Sequence, residues 1–449
     1  MKSPKRYKKL WFLFVLLFLM LSLWWGSDTQ HRDASTSAVD DTYVWFARLN
    51  SDSNSKSKSV TSASPAQKFT DASSTKTRSH DEPDICSDIV KTSDHGRLAK
   101  DMEPILERYL RQADPAIEQA LMQILQTGDP RQKGSALALQ AEIQESKARD
   151  RFLDLHPNCE NNEDCEAQLS MAVESAAKTQ IDAIAKMAVY SSDPKLYAMA
   201  YNACKPLAAQ RGFCTQINAT QWASRDPENG TTWMHVFQEL SRAGAAENQS
   251  MIANALYKLS KAKRFDAYID VSSYLSEQFM PKEDTLAQAR MQNLAWQVLI
   301  KSPLPHYSLI INACKGNLLD DGNRRQMCEE ITQQLLRQDG SIIDFGIARK
   351  MGENLGWDKT TTQVMQEEIL AINAMLRDRA KKTELQLKSQ EGMLLACREH
   401  LNQFNQGIKM MSEGEYKQYR LELDQYPLSR AELVHISREA QKAAQASKN

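Results

Sequence analysis

Apolar residues in the long C-terminal part of this chain recur at gaps of three and four. No stretch alternates apolar with polar in the two-residue rhythm of a half-buried strand. After Asn161-Asn162-Glu163-Asp164, the positions Leu169, Val173, Ala176, Ala177, Ile181, Ile184 and Ala188 fall on one face of a single helix. Glycine and proline are scarce, 16 and 14 in 449 residues, while the good helix formers Ala, Gln, Leu, Met, Glu and Lys are common. Helix starts are expected at four Asp-Pro pairs: Asp114-Pro115, Asp129-Pro130, Asp193-Pro194 and Asp226-Pro227. There Asp can cap the helix and Pro can take its first position. The segments between such signals run roughly 10 to 25 residues, which gives roughly fourteen to seventeen helices. Short helices joined by short turns stack as neighbouring pairs. The spacing therefore predicts an all-α body, an irregular α-α superhelix that is solenoid-like but has no strict repeat period. A stretch from Met365 to Met411 reads as long and helical, with Met393, Leu394, Leu395, Leu401 and Phe404 packing inward.

What precedes this body has a different composition. Residues 1–9 form a basic tip (Lys2, Lys5, Arg6, Lys8, Lys9), followed by an apolar run without a charge from Leu10 to Trp25. Basic residues stay on the cytoplasmic side, so the run orients everything after it towards the exported side. As a helix it would reach about 24 Å against a hydrocarbon core of about 30 Å, and Lys8 and Lys9 can snorkel to lengthen it. Trp24 and Trp25 suit an interface and stand where signal cleavage wants small residues. The reading is one uncleaved transmembrane helix over 10–26, with a cleaved signal as the alternative. Residues 27–92 are rich in Ser, Thr and Lys and read as a disordered linker. Its end-to-end distance would be roughly 40–50 Å. Within it Tyr43-Val44-Trp45-Phe46-Ala47 is a short apolar patch, either an interfacial foot or a docking peptide. The body then covers 93–449, with a candidate subdivision near 302–305. The whole is expected in a bacterial inner membrane as a single-pass protein, N-terminus cytoplasmic and body periplasmic.

All eight cysteines follow the apolar run, in what would be an oxidising compartment. Three pairs are local: Cys159 with Cys165, Cys204 with Cys214, and Cys314 with Cys328. The last two share an Asn-Ala-Cys opening (Asn202-Ala203-Cys204, Asn312-Ala313-Cys314) and would each staple two adjacent helices across their turn. Cys86 and Cys397 are left, to pair with each other or to stay free. Zinc is the rival use of His156, Cys159, Asp164 and Cys165, but the chain has no CxxC pair and no HExxH.

No phosphate-cradling GxGxxG or GxxxxGK[ST] occurs, and no GxSxG nucleophile elbow. Ala120-Leu121-Met122-Gln123-Ile124 looks like the Gly-Leu-Met-Gln motif of lytic transglycosylases. The Glu-Ser that should precede such a motif comes after it, as Glu145-Ser146, so the likeness carries no active site. A net charge of −1 and the absence of a basic, aromatic-interleaved stripe argue against nucleic acid. No catalytic, cofactor-binding or metal-binding residue is expected. If there were an enzymatic site, the Asp-rich turns at Asp226 and Asp320-Asp321 are where it would lie.

One segment resembles a known family. Trp222-Ala223-Ser224-Arg225-Asp226-Pro227-Glu228-Asn229-Gly230-Thr231-Thr232-Trp233 ends one helix, turns, and starts another with a Trp expected to be buried. It resembles the turn between repeats in tetratricopeptide-like proteins, where an Asp-Pro-Glu-Asn turn precedes a helix carrying Trp. The likeness covers residues 226–265 and departs at Phe237, where that family has Gly. The resemblance implies a helical architecture and a role in binding partners, with no catalytic residues and no particular ligand. Together these readings give an expected function, a membrane-anchored periplasmic scaffold or adaptor that binds a protein or peptide and is not an enzyme. The alternative is an enzyme acting on the envelope or cell wall.

Overall fold

The computed structural model describes residues 85–92, 102, 105–156, 159, 163–204, 212–242, 248–268, 270–275, 284–337, 340–386 and 389–446. The anchor expected over 10–26, the patch at 43–47 and most of the linker expected over 27–92 lie outside the described residues. No described helix is long and apolar enough to cross a membrane. The chain divides into two units, residues 1–104 and 105–449.

In the first unit the helix α1 spans Ile85–Thr92, and Ile85, Cys86, Ile89 and Val90 are buried. The last eight residues of the expected linker are thus helical. The polar Ser/Thr/Lys composition stops at Pro83, and the apolar residues of Ile85-Cys86-Ser87-Asp88-Ile89-Val90 recur at helical spacing.

Among its described residues the second unit is built of helices joined by loops, with no strand and one isolated bridge. Residues 105–110 run through a 3-10 turn, Arg111–Ala113, into α2 (Asp114–Thr127). Leu106, Leu110, Ala113, Ile117, Leu121 and Ile124 form one buried stripe along this stretch. Met122, inside the transglycosylase-like fragment, points out. Then come α3 (Pro130–Leu155), α4 (Glu163–Val189), α5 (Pro194–Cys204), α6 (Ala219–Arg225), α7 (Gly230–Arg242) and α8 (Gln249–Ser260). They are followed by α9 (Thr285–Ile300), α10 (Tyr307–Ala313), α11 (Gly322–Arg337), α12 (Ile342–Leu355) and α13 (Lys359–Gln386). The last three are α14 (Gln390–Glu413), α15 (Glu415–Asp424) and α16 (Arg430–Ala446). Sequence neighbours pack on each other: α2 on α3, α3 on α4, α4 on α5, α6 on α7, α7 on α8, α11 on α12, α12 on α13. This serial pairing is repeat-like and consistent with a solenoid body. Some contacts skip along the series, as α13 on α16 and α8 on α11 do, and one helix reaches far back. α9 packs back on α2 and α3 and forward on α14.

Of the four Asp-Pro pairs, two act as expected. Asp129 accepts from the N–H groups of Arg131 (2.8 Å) and Gln132 (2.9 Å) in a capping box, and Asp193 accepts from Lys195 N–H (3.0 Å) at the start of α5. Asp114 is the first residue of α2, continuing from the 3-10 turn, and its carboxylate is buried against Arg290 of α9 rather than capping the helix. Asp226 ends α6 rather than starting a helix, and α7 begins at Gly230. In α4 the predicted face is the inner one, with Ala177, Ile181, Ile184 and Ala188 buried. The stretch from Met365 to Met411 is shared between α13 and α14, and Met393 and Phe404 are buried. Leu395 is 47 % exposed, which corrects its inward placement: it stands between Leu394 and Ala396, a third of a turn from each, on the outer side of α14.

Cys159 is bridged to Cys165, Cys204 to Cys214 and Cys314 to Cys328, with Cα–Cα distances of 5.4, 5.4 and 5.7 Å. Both Asn-Ala-Cys cysteines sit at the C-terminal end of a helix, α5 and α10. The partner of Cys314 lies in α11, but that of Cys204 lies in a 3-10 turn, Gly212–Gln216, rather than in a second α-helix. Cys86 and Cys397 are both buried and disulfide-bonded, and none of the cysteines is free. The thiols of the zinc reading are consumed in the Cys159–Cys165 bridge.

Candidate functional site

The polar groups of the second unit concentrate where the chain crosses from α6 to α7. Asn229 is fully buried (0 % exposed), and its side-chain amide is satisfied on both sides. Its Nδ2 donates to Asp226 Oδ2 (2.9 Å) and to the Asp266 carbonyl (2.7 Å). Its Oδ1 accepts the N–H groups of Thr231 (3.1 Å) and Asp266 (3.0 Å). This clamps residues 262–268 alongside the turn. Asn229 and Arg264 form a parallel bridge, Gly230 N–H donates to the Arg264 carbonyl (2.7 Å), and Lys263 N–H donates to the Glu228 carbonyl (2.8 Å). Gly230 is required by the close approach, since a Cβ there would lie 2.4 Å from the Phe265 ring.

Asp226 completes the lock. It accepts the Tyr268 hydroxyl (3.0 Å) on the oxygen that also takes Asn229, and the Arg264 guanidinium on the other. Tyr268 holds a left-handed backbone, φ +50°, a conformation that costs a residue with a Cβ about 1–3 kcal/mol and that the clamp must offset. The Lys195 ammonium lies 5.5 Å from the ring centroids of both Tyr268 and Tyr274, a doubly aromatic setting for one cation. Beside it Arg131 grips Asp193 with Nε (2.6 Å) and Nη2 (3.1 Å). Burial pushes the Asp266 carboxyl above the usual carboxylate range, against the Tyr268 N–H and the Lys195 charge that favour its ionised form. Burial likewise pushes the Tyr268 and Tyr274 hydroxyls up. With both of its oxygens engaged, Asp226 positions the 262–268 segment.

Behind the turn, Trp222 is fully buried, its ring centroid 5.1 Å from Tyr201 and 5.7 Å from His235. The Tyr201 hydroxyl donates to Glu239 (3.2 Å). The Trp expected to be buried is Trp233, the ring that starts α7, and the structure corrects this: the buried ring is Trp222 of α6. Trp233 is half-exposed, and its indole N–H donates to the Pro227 carbonyl (2.9 Å).

The 262–268 segment leads from the turn to a groove. Lys261 Nζ reaches Glu330 Oε1 on α11 (2.7 Å), while Lys263 Nζ reaches Glu228 (2.5 Å). Gly322, Arg325, Gln326, Glu329 and Glu330 form one face of α11 and line an open cavity of about 470 Å³. Its charged groups are anchored before anything binds. Arg325 donates to the carbonyls of Leu319 (3.2 Å) and Leu355 (3.1 Å). The Trp357 indole N–H donates to both oxygens of Glu329 (3.1 and 3.2 Å). The Lys261 and Gln326 hydrogen bonds hold Glu330 below the usual glutamate range, against partial burial. Asp321 starts this helix, accepting the Asn323 N–H (2.9 Å), so the second Asp-rich turn is the lip of the groove.

The turns at Asp226 and Asp320-Asp321, expected to hold a site only if the protein were an enzyme, border these features, while Lys195, Arg264, Asp266, Tyr268 and Trp357 were not singled out. The usable signal was Lys261-Ala262-Lys263-Arg264-Phe265-Asp266-Ala267-Tyr268, dense in charge and aromatics and without helical spacing. Among the described residues no group of three or more His, Cys, Asp and Glu is gathered to hold a metal ion.

No family model, curated protein or solved structure matches this chain.

Proposed function

We propose that this protein is a membrane-anchored helical scaffold or adaptor of the bacterial envelope, its body on the periplasmic side, and that a protein or peptide partner docks in the α11 groove beside the 262–268 segment. The observation that carries the docking site is the groove itself. It is largely open, about 470 Å³, and lined by one face of α11, whose Arg325, Glu329 and Glu330 are already held by two backbone carbonyls, Trp357 and Lys261. A partner entering it meets a surface whose side-chain entropy has been spent in folding, so binding loses less. The sharing of Lys261 and Lys263 between α11 and the Asp226 turn makes the groove and the clamp one continuous surface. The basic tip with its apolar run supports the anchor, and the bridged cysteines favour an oxidising compartment.

A photo-crosslinking residue placed at Gln326 and, as a control, at the remote Lys442 tests this in intact envelopes. The reading expects a discrete adduct at Gln326 that is absent at Lys442 and lost when Trp357 is replaced by Ala. Equal adduct patterns at both positions refute the groove as the docking site. A body accessible only from the cytoplasmic side in spheroplast proteolysis refutes the orientation.

A further inference from the structure

The charged groups that α11 turns to the groove take their positions from the end of α12. Gly356, with φ +86°, closes α12 in a Schellman turn. Its N–H donates to the Glu353 carbonyl (3.2 Å), and the Trp357 N–H donates to the Gly352 carbonyl (2.9 Å). The turn lays the Trp357 ring on Gly352, where a Cβ would lie 2.4 Å from it. So held, the indole N–H meets both oxygens of Glu329 almost equally, at 3.1 and 3.2 Å. The Leu355 carbonyl at the same helix end takes Nη1 of Arg325 (3.1 Å), and the Leu319 carbonyl takes its Nε (3.2 Å).

The three charges on this face are compensated unequally. Glu330 is paired with Lys261 (2.7 Å). Arg325 faces two carbonyls, one of them at the negative end of the α12 dipole. Glu329 is half-buried and receives only neutral donors, the Trp357 indole and the Gln333 amide (3.3 Å). Among the described residues no Lys, Arg or His forms an ion pair with it; Arg325, one turn away, is directed to Leu319 and Leu355 instead. One indole N–H shared between two oxygens leaves most of their lone pairs open. A partly desolvated carboxylate without a counter-charge is costly, and a cation entering the groove removes that cost.

We propose that Glu329 is the counter-charge for an arginine side chain of the docked partner, so that the groove selects a segment presenting a guanidinium. This rests on the groove being the docking site. The argument is charge complementarity joined to geometry. The two Glu329 oxygens are held equivalent by the indole and can meet the planar guanidinium fork with both, whereas an ammonium is a point charge. The cavity, about 470 Å³, has room for that side chain and its stem.

Blocked pentapeptides with a central arginine, or its uncharged isostere citrulline, between alanines test this by titration into the full chain in detergent. Fluorine NMR of fluorotryptophan-labelled protein reads binding at Trp357, whose resonance is assigned with Trp357→Phe. The arginine peptide should bind about tenfold or more tightly than the citrulline peptide. In Glu329→Gln, whose amide oxygen can still accept the indole N–H, the two should bind alike. Equal binding to the wild type, no shift with either peptide, a lysine peptide that matches the arginine one, or an undiminished preference in the variant overturns the proposal. The wild-type comparison stands even if the variant fails to fold. The crosslink from Gln326 separates this failure from that of the docking site. A Gln326 adduct that survives Glu329→Gln removes the guanidinium and leaves the groove, whereas no specific adduct removes both.

Discussion

Replacing Arg290 by Met should destabilise the second unit more than any surface change, and the size follows from the geometry. Arg290 sits on α9 at 1 % exposure. Its Nε and Nη2 donate to Asp114 (2.8 and 3.4 Å), and its Nη1 donates to Asn293 (2.7 Å). Asp114 itself is 5 % exposed. Met fills much of the arginine stem but strands the Asp114 charge inside the protein. Removing one partner of a buried pair costs about 3–5 kcal/mol, most of it the penalty of the charge left behind. That is roughly two to three and a half orders of magnitude in the folding equilibrium. The nearest replacement cation, Arg111, is committed to Glu107 (3.3 Å) and to Asp150. Urea denaturation of the full chain in detergent measures the loss. Adding Asp114→Leu to Arg290→Met should then recover most of it, because the stranded charge goes with it. A single variant that loses less than about 1 kcal/mol, or a double variant less stable than the single, refutes the reasoning.

Two further perturbations test the clamp and the bridges. Asn229→Ala should cost about 2 kcal/mol, since it leaves the buried N–H of Thr231 and the part-buried N–H and carbonyl of Asp266 without their partner. The 262–268 segment should then become the first proteolytic nick in limited digestion, and an unchanged cleavage pattern would count against the clamp. Cys204→Ser with Cys214→Ser should lower stability by about 3 kcal/mol through the unfolded chain. Reducing agent should then lower the stability of this variant less than that of the wild type, and equal losses would show that this bridge contributes nothing.

Local features of the fold were legible because their causes are local. The face of α4 follows from apolar spacing alone, and the short loops between bridged cysteines follow from separations of 6, 10 and 14 residues. The roles of Asp114 and Asp226 were not legible for the opposite reason. An Asp before Pro reads as a cap in any sequence, yet Asp114 answers to Arg290, 176 residues away, and Asp226 to Tyr268, 42 away. The turn pattern put the buried ring at Trp233, but tertiary packing buries Trp222 instead and leaves Trp233 half-exposed on the Pro227 carbonyl. The same holds for the site. Asp321 announces a helix start, but nothing near it in sequence announces that Lys261 and Trp357 anchor the two glutamates of the groove that this helix lines.

The division of labour among these ties has a structural logic. In a serially paired helical body each helix touches mainly its neighbours, so stability accumulates piecewise and opening can begin at any weak pair. The three local bridges strengthen individual turns but cannot relate distant parts of the chain, because each closes a loop of fewer than twenty residues. Within the second unit α9 carries one long-range relation: its Arg290 reaches Asp114, and its end, at Lys301, reaches Glu142 and Glu145 of α3 (2.7 Å to Glu145). Burial pushes Glu145 up towards its neutral form while Lys301 holds the charge in place. Ion pairs are a demanding way to make such a tie, since their desolvation consumes much of their attraction. They are also selective: a helix docked one turn out of register would bury the same charges unpaired. In a body without a strict repeat to set the stacking, two such pairs on one helix fix its register against α2 and α3, and hydrophobic contact alone would not.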